Sequence, residues 1–99
     1  MATTTFAQSV DRGGGVYVWS NAGNWSAGVP DNNNLDAVIP IALTCTYDTD
    51  NSAFAAGVKS LTVNGTLQAD TVVAPVYLKM AGNIVVGAAG NIKAGTSVA

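Results

Sequence analysis

The residues able to carry reaction chemistry in this 99-residue chain are few. Acids number six, all aspartates: Asp11, Asp31, Asp36, Asp48, Asp50 and Asp70. There is no histidine and no glutamate, which removes the commonest general base and metal ligand and half of the carboxylate repertoire. Paired carboxylates on a β-face could cleave a glycosidic bond. Most of these aspartates stand beside Gly, Asn, Thr or Pro, where an Asp side chain caps its own backbone in a turn. Asp48, Asp50, Asn51 and Ser52 gather oxygen atoms that could hold calcium, but the loop lacks the Gly and terminal Glu of an EF-hand. An ordinary polar turn is expected there. One cysteine, Cys45, can form no disulfide within the chain and, without histidine, no zinc site. It is expected to be a small buried apolar residue. No catalytic residue, metal or cofactor is expected, and the chain is not read as an enzyme.

Binding chemistry has better candidates. Tyr17, Trp19 and Trp25 could form an aromatic platform for stacking on sugar C–H faces. The same two indoles, six residues apart in a loop-rich stretch, could instead close one end of a core. Four cations, Arg12, Lys59, Lys79 and Lys93, are too few for a stripe that follows phosphates, so no nucleic acid is expected as partner. Asn24-Trp25-Ser26 and Asn64-Gly65-Thr66 match the glycosylation acceptor pattern and read as chance matches in an Asn- and Thr-rich chain. Gly13-Gly14-Gly15 and Gly87-Ala88-Ala89-Gly90 are not phosphate loops, because no Lys-Ser/Thr follows and no helix begins there.

The elements that must position these residues are strands. Ala37, Ile39, Ile41, Leu43, Cys45 and Tyr47 alternate with smaller or polar residues, the period of two that marks a β-strand. Pro40 cannot donate to a ladder and should break the run into two short strands. Leu61, Val63, Leu67 and Ala69 repeat the alternation around Asn64-Gly65, a tight bend that could also be a hairpin turn. Val72, Ala74, Val76, Leu78 and Met80 alternate again, followed by Ile84-Val85-Val86. Ala53-Phe54-Ala55-Ala56 could supply one helical turn at most. Residues 1–15, ending in three glycines, read as a flexible arm or linker, or else as a short capping segment. Residues 16–34 read as a Trp-containing cap and 35–99 as stacked coils.

The coils follow from a weak repeat. Val63-Asn64-Gly65-Thr66-Leu67-Gln68-Ala69 and Ala88-Ala89-Gly90-Asn91-Ile92-Lys93-Ala94 each place a Gly before a polar, apolar, polar, Ala run, 25 residues apart. Short strands with Gly or Asn corners at such a period indicate a solenoid. The fold expected is all-β, a right-handed parallel β-solenoid (β-helix) with an N-terminal cap. Ile92, Ala94 and Val98 would lie in a last rung with no polar cap, so another copy or a different chain should stack on it, or the chain is a piece of a longer solenoid; self-association is the expectation.

In order along the chain stand Trp19, Asn24-Trp25, Gly28-Val29-Pro30, Asp36-Ala37-Val38-Ile39, Tyr47-Asp48, Leu61-Thr62-Val63-Asn64-Gly65-Thr66-Leu67, Ile84-Val85-Val86 and Gly95-Thr96. Over residues 16–97 this set resembles the eight-glycine extracellular domain of fibrocystin-type and hyaluronan-processing cell-surface proteins. It also resembles the opening of β-helical adhesins and phage tail proteins. The resemblance implies a β-solenoid start and an extracellular or virion setting.

Composition agrees with an assembled protein. Charged residues make up 10% and hydrophobic residues 48%, whereas about 25% charged is usual for a soluble domain. The N-terminus has no basic and apolar leader pattern, and no apolar run has the length of a membrane span. The expected role is a structural or attachment module in a virion or extracellular assembly, as a homo-oligomer or beside another structural chain. A carbohydrate-binding module using Trp19 and Trp25, with a glycan as partner, is the first alternative. A fragment of a polysaccharide-degrading β-helix protein is the second.

Overall fold

The computed structural model describes residues 3–30, 35–49, 57–69 and 77–93. Their regular structure is almost entirely β: strands β1 (Thr3–Thr5), β2 (Asp36–Ile39), β3 (Thr44–Tyr47), β4 (Ser60–Val63), β5 (Thr66–Ala69), β6 (Ile84–Val86) and β7 (Asn91–Lys93), with one short 3₁₀ turn at Ala22–Asn24. The strands form two sheets, ordered β1-β2-β4-β6 and β3-β5-β7. Every strand pair in both sheets is parallel.

The chain alternates between the sheets. After β2 it turns a corner into β3; after β4 it turns into β5; after β6 it turns into β7. The Asn64-Gly65 bend is therefore a corner between sheets and not a hairpin, since β4 and β5 pair with different neighbours. Pro40 ends β2, as its missing N–H requires. The corner behind it places Ala42 at φ 68°, the one non-glycine in the left-handed region among the described residues.

Parallel pairing puts like on like. Ala37 lies beside Leu61, and Leu61 beside Ile84. Ile39, Val63 and Val86 form a second row, and Cys45, Leu67 and Ile92 a third. The first two members of each row are buried; the last member, at the edge of its sheet, is exposed. A third side of the stack is held by Val58, which pairs in parallel with Met80 and exchanges backbone hydrogen bonds with Lys79 and Ala81 (2.8 and 2.7 Å).

Residues 1–15 are read from the sequence as an arm or linker, or else as a short capping segment, and part of the stretch is strand. Thr3–Thr5 form β1, paired with Asp36–Val38, and Phe6 is 1% exposed. Three threonines suit a strand, and Phe6 adds a large apolar side chain that the weak patterning of the stretch concealed. The loop at Asp11 is ordered locally: its carboxylate accepts hydrogen bonds from Gly13 N and Gly15 N. These bonds lower the Asp11 pKa. The candidate helical turn at 53–56 and the alternating run at 72–76 lie outside the described residues.

Candidate functional site

The aromatic candidates come together, but inside the protein. Trp19 is fully buried and Trp25 nearly so. Trp25 packs edge-on against Phe6 and against Trp19, with ring centroids 5.2 and 4.9 Å apart. Trp19 meets Tyr47 edge-on at 5.0 Å. Trp25 Nε1 donates to Trp19 O at 2.8 Å, so even the polar edge of that indole is used internally. Trp19 Nε1 is buried without an acceptor. Tyr17 is half-buried, and its carbonyl accepts from Thr46 N at 2.9 Å. The two indoles thus offer no exposed aromatic face for a sugar, and Tyr17 is only partly exposed. Their area is spent on closing the N-terminal end of the core, where burial of each large ring stabilises by a few kcal/mol.

That end is closed in its backbone as well. Trp19 N donates to Thr46 O at 2.9 Å, covering the outer edge of β3. Ser26 N donates to Thr5 O at 3.0 Å, and Thr5 N donates to Ser26 Oγ at 2.9 Å, covering the outer edge of β1. Asn24 is the clasp. Its amide is fully buried; Oδ1 accepts from Ser9 N and Val10 N, and Nδ2 donates to Val10 O and Val18 O. Four hydrogen bonds satisfy this side chain completely, which leaves it unavailable as a glycan acceptor. Nothing in the local sequence marks Asn24 as a clasp; the flanking Trp residues are the only hint.

Each of the described acids accepts hydrogen bonds from the chain: Asp11 within its own loop, Asp36 from a neighbouring strand rather than in the expected turn, and Asp48 from the cap. Asp48 accepts from Ser20 N at 3.0 Å and from Ser20 Oγ at 2.6 Å, tying the cap to the end of β3. Asp36 accepts from Ser60 Oγ at 2.6 Å across the β2–β4 ladder. Asp50, Asn51 and Ser52, the rest of the calcium candidate, lie outside the described residues. No cluster of three potential metal ligands occurs among the described residues. Cys45 is fully buried between Ala37-side and Leu67-side neighbours of the core, and burial pushes its thiol pKa far up, with a further push from the Asp48 charge.

Described residues line at least two concavities. A groove of about 490 Å³ is lined by Val38, Pro40, Ile41, Asn64, Ala88 and Ala89, so one amide is the polar side chain available in it. A smaller one of about 190 Å³ opens beside Tyr47, Leu67, Ala69, Leu78, Ile92 and Lys93 at the far end of the core. Both supply apolar contact; neither brings two carboxylates together.

The far end contrasts with the capped one. Among the described residues β6 and β7 are the last strands of their sheets, each paired on one side. Ile84, Val85 and Val86 are 41, 55 and 47% exposed, Ile92 is 47% exposed and Tyr77 53%. Of the residues expected at this end, Ile92 is placed on it; Ala94 and Val98 lie outside the described residues. Sequence reasoning named Ile92 from the repeat but not β6, whose three consecutive apolar residues contribute most of the exposed surface. No helix among the described residues is long and apolar enough to cross a membrane.

No protein-family model, no curated protein and no solved structure matches the chain.

Proposed function

We infer that this chain is a structural or attachment module, a right-handed parallel β-solenoid joined to an assembly through its open end. Parallel strands linked by crossovers are right-handed in about 98% of known cases, which supports the handedness. The observation that carries the function is the inequality of the two ends. One end closes with three aromatic contacts and covered strand edges. The other leaves, among the described residues, two strands paired on one side only and the aliphatic side chains of Ile84, Val85, Val86 and Ile92 exposed. Free edges of this kind recruit further strands unless blocked by charge or proline. An extracellular or virion setting fits the resemblance and the sparse charge. The carbohydrate alternative loses support, because Trp19 and Trp25 are committed to the core.

Sedimentation velocity over a range of concentrations tests this. The wild-type chain should show reversible association. Val85→Lys with Ile92→Lys, both at exposed positions, should stay monomeric with an unchanged circular dichroism spectrum. A wild-type monomer at all concentrations, or equal association by the variant, overturns the reading.

A further inference from the structure

We propose that Asn64-Gly65 is a latent self-modification site, locked by the coils on either side of it. It is the one Asn-Gly in the chain. In such a pair the glycine nitrogen can attack the asparagine side-chain carbonyl, because glycine has no Cβ to crowd the approach. Gly65 N gives its proton to solvent base and bonds to Asn64 Cγ. The Cγ–NH2 bond breaks, and the leaving nitrogen takes up a proton and departs as ammonia. One water then opens the succinimide ring at either carbonyl, leaving aspartate or isoaspartate at position 64. Nothing is oxidised or reduced, and water is the co-reactant. Asn64 lines the 490 Å³ groove, so water reaches it.

The two reacting groups are held from opposite sides of the stack. Gly65 N donates to Ile39 O at 3.2 Å, and Asn64 N donates to the same oxygen at 2.9 Å. The proton that must leave is therefore held by the preceding coil. The Asn64 side chain is turned to the following coil. Its Oδ1 fills the place a Cβ on Gly87 would take, and its Cγ lies 3.4 Å from that place. The ladder agrees: Val63 stands beside Val86, which sets Gly87 next to Asn64. Asn91 N donates to Gly65 O at 2.9 Å and fixes the corner from that side too. Ring closure needs the proton released toward solvent and Cγ carried away from Gly87 onto Gly65 N. With both coils seated, neither movement is open.

Lifting the coil of β6 and β7 removes the Gly87 seat and the Asn91 bond together, which frees the corner to close the ring. The change is one-way. Isoaspartate routes the main chain through the side chain and adds a methylene to residues 64–65, the shortest of the three corners between the sheets. Gly65 already abuts Pro40 O and Leu43 O, so a lengthened corner cannot reseat. A reversible opening thus becomes permanent, and position 64 records it. The lock uses residues 39–43, 63–66 and 86–91 and is independent of whatever lies beyond β6.

The test follows Asn64 in the full chain at mildly alkaline pH by mass mapping of the tryptic peptide 60–79, which holds no other asparagine. Conversion in the folded chain should be at least about thirtyfold slower than in urea, the population cost of opening two backbone hydrogen bonds of ordinary net strength. At sub-denaturing urea the rate should rise in step with hydrogen exchange of the Gly87 amide, ahead of the Trp19 amide in the cap. Gly87→Ala places a Cβ against Asn64 Oδ1 without a left-handed backbone, so it should unseat the side chain and speed conversion several-fold. Equal rates folded and in urea overturn the lock. A rate that tracks the Trp19 amide overturns release by the outer coil, a comparison made on the wild type alone. A Gly87→Ala chain with native circular dichroism that converts no faster than wild type overturns the seat on Gly87.

Discussion

Gly65 offers the sharpest test of how the coils stack. Its φ is not in the left-handed region, so the backbone itself would accept alanine. What forbids alanine is the layer beneath. A Cβ on Gly65 would stand 3.1 Å from Leu43 N, and nearer than the 3.0 Å that real Cβ atoms keep from both Leu43 O and Pro40 O. Those are backbone atoms, and they are engaged: Leu43 O accepts from Thr66 N at 2.8 Å, and Leu43 N donates to Pro40 O at 3.3 Å. Relief of the clash must move the corner. Overpacking costs about 1–3 kcal/mol, and loss of one or two corner hydrogen bonds adds about 1 kcal/mol each. Gly65→Ala should thus destabilise by about 3 kcal/mol. At about 4–8 °C per kcal/mol for a domain of this size, Tm should fall by at least ~12 °C in a thermal melt followed by circular dichroism. Ala42→Gly is the matched control. It relieves a left-handed alanine, worth about 1–2 kcal/mol, against an entropic loss of about 0.4–1 kcal/mol, and should raise Tm slightly or leave it unchanged. A Gly65→Ala protein melting within a couple of degrees of wild type would refute the stacking of residues 64–65 on 40–43.

The aromatic cap and the thiol give two further outcomes. Trp25→Phe keeps the ring contacts but leaves Trp19 O without its donor, which should cost about 1–3 kcal/mol. Native tryptophan emission should be blue-shifted, resist acrylamide quenching and ignore added oligosaccharides; a glycan-dependent change would restore the sugar reading. Cys45 should not react with a thiol reagent until the chain unfolds. Its folded pKa is raised, so the unfolded thiol ionises first as pH rises, and above about 8.5 the unfolded state gains relative to the folded one. Stability should therefore decline with alkalinity in the wild type by more than in Cys45→Ala, measured by urea denaturation.

Period two alone located β2, β3, β4 and β5, because the alternation of Ala37-Ile39, Cys45-Tyr47 and Leu61-Val63 is a direct image of their core-facing sides, although in β3 Thr46 on the other side is buried as well. The 25-residue register from Gly65 to Gly90 holds where it was drawn, with Thr66 beside Asn91. It does not hold around the whole coil: Asp36 lies beside Ser60, Thr44 beside Thr66 and Leu61 beside Ile84, because corners of unequal length alter the spacing. Phe6 was hidden for a different reason. Its antiparallel bridge to Trp25 joins segments that share no pattern, and contacts made through a cap leave no periodic trace. The strand position of Ile92 was legible from the repeat, but the apolar run of β6 has no alternation to read, since both of its faces carry aliphatic side chains.

The Asn24 clasp carries a consequence for how the chain comes apart. Within each sheet a strand pairs only with the strands beside it, so on the solenoid reading cohesion is shared between neighbours and does not spread evenly through the molecule. With one end fastened by a fully satisfied amide and the other bare, opening fluctuations have a direction. They begin at β6 and β7 and lose probability toward β1, as a zip fixed at one end runs only from the other. A partner docked on β6 would then protect the least protected coil first, and association would register as slowed hydrogen exchange in Ile84–Val86 and Asn91–Lys93 well before it altered the melting of the cap.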